Sequence, residues 1–127
     1  RSYSPWGRYG ESKLANLLFA KELARRLGGS GRTANAVHPG VIRTTLGRHM
    51  SPVSRAAFAL AVPLFLKSVA QGAATQTWAA VHPSLAAASG AYLADCNVAT
   101  PRADADDPAL ARRLWEATEA IVARLPR

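Results

Sequence analysis

Arg32-Thr-Ala-Asn-Ala-Val-His-Pro-Gly40 is the stretch on which the fold turns. It is short, and Gly31 and the Pro39-Gly40 pair bound it, which predicts a strand over residues 32–38. Upstream, Ser4-Pro5 reads as a helix start, with Ser as cap and Pro at the first helical position. Leu14, Leu17, Leu18, Ala24 and Leu27 then recur at helical spacing until Gly28-Gly29. A helix that ends in glycines and feeds a strand ending in Pro-Gly is the first half of an alternating pattern.

The pattern continues downstream. Thr44 to Arg48 is expected as a short helix, and Ser51-Pro52 opens another helical stretch. Residues 56–66 are wholly apolar between Arg55 and Lys67, and Pro63 interrupts them. Eleven residues are too few to span a bilayer. The expectation is a buried helix or the apolar wall of a pocket, with shallow contact at a membrane surface as the lesser alternative. Ser68 to Val81 predicts an Ala-rich helix closed by His82-Pro83. Ser89-Gly90 leads into a second strand, Ala91 to Ala94, and residues 97–106 read as loop. Asp107-Pro108 caps a last helix whose inner stripe is expected at Leu110, Leu114, Thr118, Ile121 and Leu125. Strands alternating with helices point to a parallel sheet with helical crossovers. Two strands do not make a stable sheet, and parallel strands need cover on both faces. The expected architecture is therefore one end of a larger α/β domain.

Composition bounds the function. At 127 residues and 49% apolar content the chain is one small domain at most, and wholesale disorder is excluded. The single Cys96 excludes an intramolecular disulfide framework and thiolate metal clusters, and it fits a reducing, cytoplasmic setting. No run reaches the roughly 18 apolar residues of a membrane span, and no signal-peptide pattern opens the chain. The chain begins at Arg1 rather than Met, which reads as a fragment or processed product. Net charge is +8, with the excess concentrated in residues 1–67. Yet the basic residues are scattered, and no aromatic residues alternate with them as a base-stacking platform needs. Nucleic acid is not an expected partner. His49 and His82 lack carboxylate or Cys neighbours at ligand spacing, so no metal site is expected.

The chemistry sits on the first helix. Tyr9 and Lys13, four residues apart, share a helical face. An ammonium beside a phenol favours its anion, and such a Tyr can give or take a proton at a carbonyl or alcohol oxygen. The pair alone is a weak signal, since it arises by chance in about one chain of this size in five. Its context is stronger. In open parallel sheets ligands lie beyond the carboxyl ends of strands, so the loop after His38 is where a ligand belongs.

Tyr9-Gly-Glu-Ser-Lys13 running on as Leu14-Ala-Asn-Leu-Leu-Phe19 resembles the short-chain dehydrogenase/reductase family, and within it the retinol dehydrogenase and WW-domain oxidoreductase-like branch. His38-Pro-Gly-Val-Ile-Arg-Thr44, Gln71-Gly-Ala-Ala74, Ser89-Gly-Ala-Tyr-Leu93 with Asp95-Cys96, and Leu110-Ala-Arg-Arg-Leu-Trp-Glu116 fit the same branch in order. The resemblance implies the C-terminal part of a Rossmann-like, doubly wound parallel sheet, here two strands with flanking helices. It implies NAD(P) as cofactor, NADP somewhat favoured, and a small carbonyl or alcohol substrate of lipophilic character. Tyr9 would be the general acid/base. Lys13 would favour its phenolate and bond the nicotinamide ribose. Ile42 and Thr44 would hold the carboxamide, with Pro39 and Gly40 shaping the turn.

What the resemblance lacks is equally informative. No Gly-x-x-x-Gly-x-Gly or Gly-x-Gly-x-x-Gly precedes a helix, so the family's phosphate loop is not among these residues. Its carbonyl-polarising Ser lies upstream of the Tyr, and Ser2 and Ser4 stand too close to Tyr9 for that part. The chain thus reads as the C-terminal half of one domain over residues 1–127, without the dinucleotide-binding half, and inactive by itself. The alternative is a non-catalytic remnant or a dimerisation module, with Leu14, Leu17 and Leu18 exposed on the first helix and a homo-oligomer formed through it. Other residues receive plain expectations: Cys96 buried as a small apolar group, His38 in a structural hydrogen bond or touching the site, Tyr3 and Trp6 in the core or at the site entrance, Trp78 and Trp115 in the core.

Overall fold

A computed structural model describes residues 4–42 and 66–126. The expected helices from Thr44 and from Ser51, and the apolar stretch up to Phe65, lie outside the described residues, as do Tyr3 and His49.

Helix α1 spans Pro5–Arg26 and starts as its sequence dictates: the Ser4 hydroxyl accepts from the Gly7 N–H at 3.3 Å, with Pro5 in the first turn. Its C-cap is Leu27, followed by the glycines. Strand β1 covers Ala36–His38 only. The expected strand is shortened because residues 34–35 bond differently. Asn35 clamps the facing segment, its amide donating to Ala88 O (2.8 Å) and its carbonyl accepting from Ala91 N–H (2.9 Å). Backbone pairing persists on either side of it, Gly90 N–H donating to Ala34 O at 2.7 Å and Ala36 N–H to Ala91 O at 2.9 Å.

Helix α2 spans Val69–Val81 behind a capping box in which Ser68 and Gln71 satisfy each other's backbone N–H groups. His82 closes it and caps a single 3-10 turn, Pro83–Leu85, through Nδ1 and Ser84. Strand β2, Tyr92–Ala94, pairs in parallel with β1, Val37 opposite Leu93. The β1–α2–β2 order is the alternating unit expected from the sequence.

The sheet departs from expectation at its other edge. Residues 97–106 are not all loop: Asn97–Ala99 form β3, antiparallel to β2, and Ala103–Asp106 form a 3-10 turn. The sheet is therefore three-stranded and mixed, in the order β1-β2-β3, rather than two parallel strands. The cause is a two-residue turn, Asp95-Cys96, with both residues left-handed at φ 52° and 56°. That geometry matches the twist of antiparallel strands but is usually built from Asn-Gly or Asp-Gly. Cys96 is thus half-buried in a turn rather than a core residue.

Helix α3, Pro108–Val122, is capped by Asp107, whose carboxylate accepts from Ala109 and Leu110 N–H at 2.8 and 3.1 Å. It packs along α1, where Phe19 and Trp115 stack at 4.9 Å and the Arg26 guanidinium lies 4.5 Å above the indole. Leu110, Leu114 and Trp115 are half-buried beside buried Ala111, whereas Thr118, Ile121 and Leu125 are exposed, so the expected stripe holds only over the first half of the helix. Trp78 is half-buried beside His82. Among the described residues the buried apolar side chains are Leu17, Leu18, Leu85, Leu93, Ala105 and Ala111. Leu17 and Leu18 are therefore not the exposed face expected of a docking module, and Leu14 is half-buried. Glu22, also buried on α1, is held by Arg25 (2.6 and 2.8 Å) and Arg26 (2.8 Å). The Arg25 hydrogen bonds, with Arg26 and despite burial, hold its carboxyl near pKa 2 rather than the ordinary 4.5.

Candidate active site

Helical spacing decides the first contact. Lys13 lies one turn beyond Tyr9, and its Nζ stands 5.2 Å from the Tyr9 ring centroid. Ser12, between them, turns back to donate to the Tyr9 carbonyl at 2.7 Å. Trp6 meets the Tyr9 ring edge-on at 6.5 Å and is itself exposed, which puts it at the site's rim and outside the core. Tyr9 is 59% exposed.

The second contact comes from the sheet. A cleft of about 490 Å³ runs between α1 and the carboxyl end of β1, lined by Tyr9, Lys13, His38, Pro39, Gly40 and Tyr92 among others. The helix pair and the Pro-Gly turn, 30 residues apart in sequence, thus face one space. His38 lies in that lining and stacks on Tyr92 at 6.2 Å. Gly40 has φ 80°, a conformation open to Gly and costly for other residues.

Ile42 does not line the cleft. Its side chain presses against α2 where Gly72 leaves room, and its backbone forms a parallel bridge with Lys67. Thr44 lies outside the described residues. Of the six expected site residues, Tyr9, Lys13, Pro39 and Gly40 meet in the cleft, and Ile42 extends the same turn away from it.

Two residues to which the sequence reading gave no site role belong beside this turn. Lys67 reaches across Gly40 and forms an ion pair with Asp95 at the β2–β3 turn. The Lys67 hydrogen bond and charge, with the His38 ring nearby, hold the Asp95 carboxyl below its ordinary range. A lysine at the end of an apolar stretch and an aspartate after a strand were the only traces in the sequence. Among the described residues no three His, Cys, Asp or Glu side chains gather into a metal-holding group.

Comparison with known proteins gives this geometry its context. The chain is 41% identical to retinol dehydrogenase 14 of Mus musculus over 96% of its own length, covering 37% of that protein. It is 46% identical to short-chain dehydrogenase TIC 32 A, chloroplastic, of Brassica napus, over 98% of the chain and 39% of the relative. It is 42% identical to the WW domain-containing oxidoreductase of Danio rerio, over 90% of the chain and 27% of the relative. No protein-family model matches it. The chain thus spans less than two-fifths of the length of these relatives. Within that span, it belongs to the short-chain dehydrogenase/reductase family.

Proposed function

We propose that the protein carrying these residues is an NAD(P)-dependent oxidoreductase. It moves hydride between a nicotinamide and the carbonyl or alcohol carbon of a small, lipophilic substrate. The observation that carries this reading is the single cleft shared by Tyr9, Lys13 and the Pro39-Gly40 turn. The names of the relatives, dehydrogenases and an oxidoreductase, support it.

The residues present suit the nicotinamide end of the cofactor. Lys13 would offer three N–H donors to ribose hydroxyls, and Gly40 brings its backbone to the same cleft. The cofactor's contribution is to supply or accept hydride. In the direction of reduction, Tyr9 donates its phenolic proton to the substrate oxygen as the carbon accepts hydride, which yields the alcohol. The Lys13 ammonium stands over the same ring, one helical turn away. In oxidation the Tyr9 oxygen takes the proton back. The pyrophosphate end finds no glycine-rich loop in residues 1–127, so the dinucleotide-binding half of the domain belongs to chain outside them, and this segment is its C-terminal part.

The test is steady-state kinetics on the full-length protein with NAD(P)H and a panel of lipophilic aldehydes. Tyr9→Phe, which deletes only the proton-carrying hydroxyl, is expected to lower kcat by roughly a hundred- to ten-thousand-fold. Unchanged turnover in Tyr9→Phe contradicts the assignment.

A further inference from the structure

We propose that Lys67 is a positioning residue for the candidate active site: its side chain clasps the Pro39–Ile42 turn from outside, and Asp95 anchors the clasp. The proposal rests on the reading of the cleft as the nicotinamide side of an oxidoreductase.

Gly40 lines the cleft together with Tyr9 and Lys13. On Gly40's Cα, Lys67 occupies the space where a side chain would begin: its Cε and Cδ lie 2.8 and 2.9 Å from the position a Cβ would take. The stem therefore lies flat on the turn. The Lys67 backbone holds the same turn, its N–H donating to Val41 O at 2.9 Å and its strand bridge pairing with Ile42. Both ends of this clasp are fixed. Ser68, the next residue, caps α2 through its box with Gln71, so the Lys67 backbone is tied to a helix start. Lys67 Nζ is paired with Asp95 Oδ1. The turn bearing Asp95 is itself pinned to α2, where Cys96 N–H donates to Thr75 Oγ1 at 3.3 Å and Thr75 is buried. Gly72 of the same helix admits the Ile42 side chain against it. Three elements thus meet at the Pro39–Ile42 turn, and Lys67 is the side chain that bridges them.

An exposed ion pair adds little to global stability, and Lys67 and Asp95 are 28% and 71% exposed. The pair's effect is local: it fixes where the backbone groups of the turn point. Misplacement of positioning groups by about 1 Å can cost a hundred-fold in rate, so a partial loosening should be visible.

The experiment uses the full-length protein with Asp95→Asn and Lys67→Met, which keep shape and remove charge, and the double exchange Lys67→Asp with Asp95→Lys as a further arm. Asn tolerates the left-handed backbone at position 95. The first readout is hydrogen exchange of the amides of Gly40, Val41 and Ile42, which needs no activity. The second is KM for NAD(P)H against kcat. Faster exchange at the turn, unchanged exchange in α1, and a KM raised about ten-fold with kcat within about two-fold support the clasp. Unchanged exchange at residues 40–42 in both single variants overturns it, whatever the activity. Quickened exchange with unaltered KM in an active enzyme also overturns it, since the pair would then be structural only. If the unmodified protein shows no hydride transfer, the functional reading fails, and the exchange data still decide the clasp. Partial recovery in the double exchange adds support; Lys67→Asp cannot lay a stem on Gly40, so full recovery contradicts the role given to that stem.

Discussion

Tyr9 and Lys13 show what two side chains achieve when a helix spaces them by one turn. Neither is buried, and nothing in α1 demands either for folding. Replacing Lys13 by Met should therefore leave the thermal midpoint of the protein nearly unchanged. It should weaken both NAD(P)H binding and turnover, by about ten-fold or more together, as measured by fluorescence titration and initial rates. Glu22 is the opposite case, a buried carboxylate whose value is structural. Arg25 and Arg26 hold its pKa near 2, below the ordinary 4.5. A depressed carboxyl contributes stability above its unfolded value and loses it as pH falls through the folded one. Glu22→Gln should thus be less stable than the parent above about pH 5. The gap should narrow steadily from there towards pH 2, as denaturant titrations at several pH values would show.

At the scale of elements, the sheet depends on its middle strand. Leu93 has no exposed surface, and β2 is the strand that both neighbours pair with. Leu93→Ala should cost about 2–5 kcal/mol by urea denaturation. Asp107→Ala removes the carboxylate that caps α3 and should cost about 1 kcal/mol. The three described helices were legible in the sequence at their starts: Ser4-Pro5, Ser68 and Asp107-Pro108 each mark the start the structure has. Strand β3 was not, because its turn places Asp95 and Cys96 in a backbone region where sequence rules look for glycine. The inner face of α3 was legible only over its first half: Leu110 and Leu114 are half-buried, whereas Ile121 is exposed and Leu125 lies past the helix end at Val122. Likewise, Tyr9 with Lys13 and the Pro39-Gly40 turn could be found from spacing and strand polarity. Lys67 and Asp95 meet only in three dimensions, 28 residues apart.

On the scale of the whole molecule, the proposed function gives the chain one side of a site. It covers 37% and 39% of two of its relatives and holds no glycine-rich phosphate loop. Expressed alone, residues 1–127 should show no hydride transfer above the buffer rate with any aldehyde that the full-length protein reduces. Measurable turnover by the segment would contradict the proposal that the cofactor's pyrophosphate is held outside residues 1–127.

In the proposed reaction Tyr9 passes a proton at the cleft where hydride is exchanged. The most direct measurement is transfer of deuterium from nicotinamide-labelled NAD(P)D to the carbonyl carbon of a lipophilic aldehyde by the full-length protein, read by mass spectrometry of the alcohol. One deuterium per product molecule is expected, with product formation falling at least about a hundred-fold in Tyr9→Phe while the cofactor still binds. Alcohol formed without label, or labelled alcohol formed as fast by Tyr9→Phe, would contradict the proposed reaction.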